Sequence, residues 1–294
     1  MSPAHSIEEM DAIICRSGML KLQIRRALQS KTLPYAILAL MALVTVCFVQ
    51  SCLMFWGHDR GEIPSAATQW VGNGLRSNAQ LISFLVSYLL FPLTSAIFSM
   101  CLFDDKRARA AYMLAPRSSM RSYLCSGALC SFGMAFVATL FVLLISQALA
   151  FLAFPAGTSA DAYYGALGQL VTSQDEFALL ATQPLSSLLF GNRYLLNLAY
   201  CLYDAFYAGA MALAAYAASI YFKGNRMLLL GLPTVIFLAA SAVMPQGYNF
   251  ADHLLPGMNQ VAPVAFMMAA PALISLVSAL AVALSSSLKR DVLL

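Results

Sequence analysis

The sequence predicts an all-α membrane protein with six transmembrane helices, both termini in the cytoplasm and an amphipathic surface helix near the N-terminus. Apolar residues make up 61% of the 294 residues, and charged residues only 10%, whereas soluble domains carry about 25% charged residues. The apolar residues are also gathered in six stretches. Each stretch is close to the ~20 residues that a helix needs to cross a bilayer.

The distribution of lysine and arginine sets the predicted orientation. The six apolar stretches separate seven polar segments. The first, third, fifth and seventh segments hold five, five, two and two of the 17 basic residues, and the three others hold two, one and none. Because basic loops stay on the cytoplasmic side of a membrane, the odd-numbered segments and both termini are expected in the cytoplasm.

A single transmembrane domain is expected to cover residues 1–294, without a nucleotide-binding domain. Strands are not expected, because period-two alternation is absent and only helices and closed barrels satisfy their backbone in lipid. The uncharged run 122–160 is too long for one crossing, so the start of its helix should project into the cytoplasm. The predicted spans are residues 35–56, 80–103, 128–153, 195–222, 227–244 and 263–287.

The residues before the first span predict an amphipathic helix on the inner membrane surface. Leu20, Ile24 and Leu28 recur every four residues and share one face, whereas Lys21 and Arg25 lie elsewhere around the helix. An apolar stripe beside basic residues is typical of a helix that lies in the membrane interface.

The fourth predicted span carries Asp204, the one acidic residue well inside a span. Asn197, Tyr200, Asp204 and Tyr207 fall at helical spacing and share one face. An ionisable group inside a membrane helix is a functional-site hypothesis, so this row is a candidate lining of a translocation path. The other interpretation is structural: tyrosine hydroxyls hold the carboxyl group between helices.

Several catalytic and ligand-binding patterns are absent from the sequence. The three histidines lie outside the predicted spans, and there is no CxxC pair, HExxH motif, GxSxG motif or second intramembrane aspartate. Intramembrane hydrolysis and zinc binding are therefore disfavoured. A P-loop motif is also missing, so the chain is not expected to bind ATP in that way. The net charge of +4 is spread over the inner loops, which favours lipid headgroups over nucleic acid as partners.

The predicted inner loop between spans two and three is the most informative local motif. An aspartate at its start can cap a short helix, and a proline ends that helix. A short cytoplasmic helix with an exposed apolar end suits docking into a groove of a partner protein. The simpler interpretation is a loop that lies on the lipid headgroups. The candidate docking residues are Asp104, Asp105, Tyr112, Met113, Leu114, Pro116 and Arg117.

This loop resembles the first inner loop of type-2 ABC transporter permeases. That loop has one or two acidic residues, a short helix, and a leucine, proline and serine before the chain re-enters the membrane. Here Asp104 and Asp105 stand at the acidic positions and residues 114–118 at the terminal ones. The amphipathic helix and the six-span layout are similar as well. The Gly-Thr pair usual in that family is missing, and the large outer segment follows span three instead of separating the last two spans.

The resemblance implies a permease subunit of an ABC exporter in the inner or plasma membrane of a bacterial cell. It would dimerise with a second copy or a homologue and bind separate ABC ATPase subunits through the 104–121 loop. ATP and magnesium would be bound by the ATPase, so this chain would carry no cofactor and would not itself be an enzyme. The alternative is a non-transporting membrane protein, such as an immunity or sensor subunit, which would bind a partner without a polar path.

The orientation can be tested with single-cysteine variants in a background that lacks the seven native cysteines. A cysteine at Ala108 should be protected from a membrane-impermeant thiol reagent in intact cells, and one within 161–174 should react, because basic loops stay inside. Permeabilising the cells should make position 108 reactive. Strong labelling of position 108 in intact cells would overturn the predicted orientation.

Overall fold

The computed structural model describes residues 18–71, 80–107, 120–157, 185–222, 225–245, 248–255 and 263–288. Within these ranges the chain is helical and contains no strand. A 3-10 turn covers Asp252–Leu254. The helices are α1 (18–29), α2 (Thr32–Met54), α3 (Gln80–Ser95), α4 (Cys101–Arg107), α5 (Met120–Ala153), α6 (Ser186–Gly191), α7 (Arg193–Tyr221), α8 (Arg226–Val243) and α9 (Val264–Leu288).

Four of the described helices, α2, α5, α7 and α9, are long and apolar enough to cross a membrane. This is the pattern of a multi-pass membrane protein, so the all-helical membrane fold is confirmed at this level. The four helices coincide with predicted spans one, three, four and six. α5 is 34 residues long, or about 51 Å, and therefore exceeds the ~30 Å hydrocarbon core. α3 and α8 are shorter, and the count of six spans stays a prediction.

The predicted second span, residues 80–103, is not one continuous helix. α3 ends at Ser95 after 16 residues and contains Pro92. The Thr94 hydroxyl donates a hydrogen bond to the Leu90 carbonyl at 2.7 Å. A proline and a side chain that bonds the preceding turn both weaken a helix. α3 is therefore about 24 Å long, and a turn separates it from α4.

α7 is the central helix of the described bundle. It is buried along most of its length and contacts α3, α5, α8 and α9. α5 and α7 approach closely at two glycines. A Cβ atom on Gly127 would overlap the Tyr216 hydroxyl, and one on Gly209 would lie 2.9 Å from the Phe132 ring. Small residues at such crossings allow two helices to pack at short distance.

The helix ends collect in apolar clusters at two opposite ends of the bundle. The first cluster joins α1, α4, the start of α5 and the ends of α7 and α9, through Met19, Leu102, Leu124, Ile220 and Val282. We name this end the basic end, because the arginines and lysines of α1 and α4 lie there. The second joins the end of α5, the starts of α7 and α9 and the segment 63–71, through Phe154, Leu196, Met267 and Trp70. α5 therefore runs antiparallel to α7 and α9.

Gly127→Ala should destabilise the protein, whereas Gly133→Ala on the same helix should not. A methyl group at position 127 would collide with Tyr216, whose hydroxyl is fixed by a hydrogen bond to the Leu124 carbonyl. No other atom lies within 4 Å of a Cβ at Gly133. Overpacking costs about 1–3 kcal/mol. Thermal unfolding in detergent measures the effect, and equal midpoints for the two variants would contradict the close approach of α5 and α7.

Candidate functional site

Asp105 on α4 is the centre of a buried polar network at the basic end. Arg26 of α1 donates from Nη1 to Oδ2 at 2.9 Å and from Nη2 to Oδ1 at 2.5 Å. Tyr123, at the start of α5, donates its hydroxyl hydrogen to Oδ2. The hydrogen bond to Asp105 raises the pKa of the Arg26 guanidinium above its usual value. A two-point arginine–carboxylate contact fixes the orientation of both groups, so α1, α4 and α5 are held in one arrangement.

The next residue, Lys106, connects α4 to the end of α7. Its Nζ donates to the Ile220 carbonyl at 2.7 Å and to the Ser219 carbonyl at 3.4 Å. The last carbonyls of a helix have no partner within that helix, and a cation there interacts favourably with the helix dipole. Two adjacent residues of α4 therefore contact three other helices. We name the set Arg26, Asp105, Lys106 and Tyr123 the anchor network.

Two of the seven predicted docking residues, Asp104 and Asp105, lie in the described part of the chain. Both are inside α4 rather than at its cap, because the helix begins earlier, at Cys101. Asp104 is exposed and Asp105 is buried, so Asp105 serves contacts within the chain. The other five candidates lie outside the described residues, and their role stays a prediction: Tyr112, Met113, Leu114, Pro116 and Arg117.

α1 presents two different faces. Met19, Gln23 and Ala27 are buried against the bundle, whereas Ile24 and Leu28 of the predicted apolar stripe are exposed. The stripe therefore lies beside the packed face and not on it. This is the arrangement that a helix needs if it is to contact both the protein and the lipid interface.

The four predicted path residues on α7 are all buried. Asn197 Nδ2 donates to the Ala67 carbonyl at 2.9 Å and to Gln147 Oε1 of α5 at 2.8 Å. Gln147 Nε2 in turn donates to the Ala66 carbonyl at 2.9 Å. These bonds hold the segment 63–71. The segment is buried, although it belongs to the polar stretch between predicted spans one and two. Asn197 thus fastens this segment to α5 and α7.

The tyrosines of the row lie in an aromatic cluster. The Tyr207 ring stacks on Phe91 at a centroid distance of 5.3 Å and meets Phe237 edge to face at 5.3 Å. Tyr203, beside the row, donates its hydroxyl hydrogen to a backbone carbonyl of α9. Tyr200 is also buried. In this structure the row is a packed face of the bundle and not an open channel.

Asp204 is the unsatisfied group of the row. Its side chain is buried, and its Oδ1 has no hydrogen-bond partner in the described part of the chain. A hydrogen bond from Tyr200 or Tyr207 to this atom, which the structural interpretation expected, is not formed. An unsatisfied buried acceptor costs about 1–3 kcal/mol, and such a group in a membrane helix points to function. The missing hydrogen bond counts against the structural interpretation, and the path-lining role stays a prediction.

The sequence did not reveal four residues that form these hydrogen bonds. It gave no partner for Arg26 or Lys106, and it did not single out Tyr123 or Gln147 as candidates. Arg26 and Lys106 counted only as basic residues that set orientation. Arg26 and Asp105 are 79 positions apart, and no sequence spacing relates them. In the described residues, no group of histidines, cysteines or acids is placed to hold a metal ion.

No family model, curated protein or solved structure matches this chain. Its function is therefore argued from two features of the bundle. One is the anchor network around α4, and the other is the buried polar row on α7.

Asp204→Leu should leave the thermal stability unchanged or raise it, whereas Asn197→Leu should lower it. The first change removes an acceptor that has no partner, and the second leaves Gln147 and the Ala67 carbonyl without their donor. The difference should be about 1–3 kcal/mol. Unfolding midpoints in one detergent provide the measurement. A lower midpoint for Asp204→Leu than for Asn197→Leu would identify the carboxyl as a structural group.

Proposed function

We propose that this chain is the membrane-spanning permease subunit of an ATP-driven exporter of the ABC type. It would have six spans and cytoplasmic termini, work as a dimer with a second copy or a homologue in a bacterial cell membrane, and leave ATP–magnesium to separate ATPase subunits. The observation that carries the proposal is the anchor network. It connects α4, which contains the first residues of the predicted docking loop 104–121, to α1, α5 and α7.

The anchor network supports a coupling role because α4 cannot move without disturbing its hydrogen bonds to α1, α5 and α7. A partner that displaces the docking loop would pull on Asp105 and Lys106, and these residues contact α1 and the end of α7. Charge-assisted hydrogen bonds are short and directional, so they pass a displacement between helices. α7 carries the polar row, so a displacement of α4 would be passed to the helix that lines the proposed path.

The placement of the helix ends supports the proposed orientation. α1, α4, the start of α5 and the ends of α7 and α9 share the basic end. The lysine- and arginine-rich segments of the sequence adjoin these helix ends. Since basic segments stay in the cytoplasm, the basic end would face the ATPase.

The opposite end of the bundle is closed, which suits a resting exporter. Besides the bonds from Asn197 and Gln147, the Val71 amide donates to Ser146 Oγ at 3.0 Å, and the Ala66 amide donates to the Pro155 carbonyl at 2.9 Å. The segment 63–71 is thus bound to both α5 and α7. An outward-open state would require its displacement, and energy from ATP hydrolysis could provide that.

Association with an ATPase is the direct test. If a neighbouring gene encodes an ATPase with a P-loop motif, the chain is co-expressed with that ATPase and the amount that co-purifies is measured; the lack of such a gene would count against the proposal. Tyr112→Asp should reduce that amount at least tenfold, because an unpaired charge would be buried at the contact. Gly61→Asp is the matched control, since position 61 is exposed at the opposite end with open space around it.

Asp105→Asn separates binding from coupling in the same experiment. It weakens the contact with Arg26 inside the chain, so the ATPase should still bind, while the chain should no longer stimulate ATP hydrolysis in vesicles. Asp59→Asn, at an exposed residue near the opposite end of the bundle, is the control and should behave like the unchanged protein. Unchanged ATPase association for Tyr112→Asp, with unchanged hydrolysis for Asp105→Asn, would reject the proposal and favour a non-transporting interaction protein.

A further inference from the structure

An apolar cleft of about 400 Å³ lies between α7, α8 and α9. α7 forms its floor, and α8 and α9 form its two walls. Of the side chains that line it, Tyr207 and Ser278 carry hydroxyl groups, and all others are apolar. The cleft is in the middle of helices that the composition assigns to a membrane.

The cleft opens sideways and not towards either end of the bundle. Its lips are Ile236 on α8 and Leu273 and Val277 on α9, and each of these side chains is more than half exposed. In a bilayer these lips face the hydrocarbon region. Each buried water needs two to four polar partners, so the two hydroxyl groups of the lining could hold one water at most, far fewer than would fill the cleft. The apolar side chains of the cleft therefore favour a hydrocarbon occupant over water.

The dimensions of the cleft decide between the possible occupants. It follows α7 from Tyr207 to Ala218, eleven residues apart, or about 16 Å at 1.5 Å per residue. Even the whole open space between its walls, about 990 Å³, gives over that length a mean cross-section of only about 60 Å². A helix about 10 Å wide needs roughly 80 Å², so a helix of a second copy does not fit. The length equals about half of the ~30 Å hydrocarbon core, the depth that one lipid tail covers.

We propose that the cleft binds one acyl chain of a bilayer phospholipid. No charged side chain lines it in the described part of the chain, so the site would select for the tail and not for the headgroup. The bound tail would fill the space between α8 and α9, which both pack on α7. The site is independent of the proposed transport function.

The test uses vesicles that contain phosphatidylcholine with a photoactivatable diazirine in one acyl chain. After illumination, mass spectrometry measures the lipid attached to the α7 peptide that covers 207–218. Ala240→Phe places a ring inside the cleft, and Ala239→Phe places the same ring on the exposed face of α8. Labelling of α7 should fall at least fivefold in the first variant and stay within twofold in the second.

A second pair of variants shows whether a loss of labelling comes from filling the cleft or from misfolding. Ala270→Phe on α9 fills the cleft from the other wall, and Ala269→Phe is its exposed neighbour. Thermal unfolding of all four variants shows which are folded. Labelling of α7 that is equal in the filled and the control variants would overturn the proposal. Disulfide cross-links between two copies through a cysteine at position 240, without lipid on α7, would assign the cleft to a second copy instead.

Discussion

The close packing of α7 against α5 is the contact on which the rest of the bundle depends. It is held at three levels along the helices. Gln147 and Asn197 bond near one end, Ser131 donates to the Ala212 carbonyl in the middle, and Tyr216 donates to α5 near the basic end. Apolar surfaces give little driving force for association in lipid, so close contact and hydrogen bonds between helices must supply it. The remaining helices pack around this pair.

The anchor network acts on this pair from outside. Asp105 reaches the start of α5 through Tyr123, and Lys106 reaches the end of α7. Both points lie at the same end of an antiparallel pair, so a displacement of α4 acts on the two helices together. Arg26 adds α1 to the same unit. The arrangement connects α1, α4, α5 and α7 at the basic end.

Composition predicts the coarse fold because a chain that crosses a lipid bilayer must have long apolar segments that form helices. Long apolar runs such as those of α2 and α7 have one stable outcome in a bilayer. The break after Ser95 was not predicted, because its signals, Pro92 and the hydroxyl of Thr94, also occur inside intact membrane helices. The burial of 63–71 was missed for a different reason. Its bonds to Gln147 and Asn197 depend on tertiary contacts that local composition does not encode.

The same principle explains which parts of the site the sequence could reveal. Asp204 is conspicuous, because a lone acid in an apolar run is rare, and burial was expected for it. In the described part of the chain its Oδ1 has no hydrogen-bond partner, and this could not be expected, since tyrosines occur at suitable spacing on both sides. The pairing of Arg26 with Asp105 joins residues from separate polar segments. The sequence marked Arg26 only as one of the basic residues before span one, and Asp105 as a candidate docking residue.

The fastening of 63–71 has a consequence for how often this segment leaves the bundle. At least four hydrogen bonds hold the segment: its carbonyls accept from Asn197 and Gln147, and its amides donate to Ser146 Oγ and the Pro155 carbonyl. At about 1 kcal/mol each, together they stabilise the closed arrangement by about 4 kcal/mol. Only about one molecule in a thousand would then have the segment displaced at any moment.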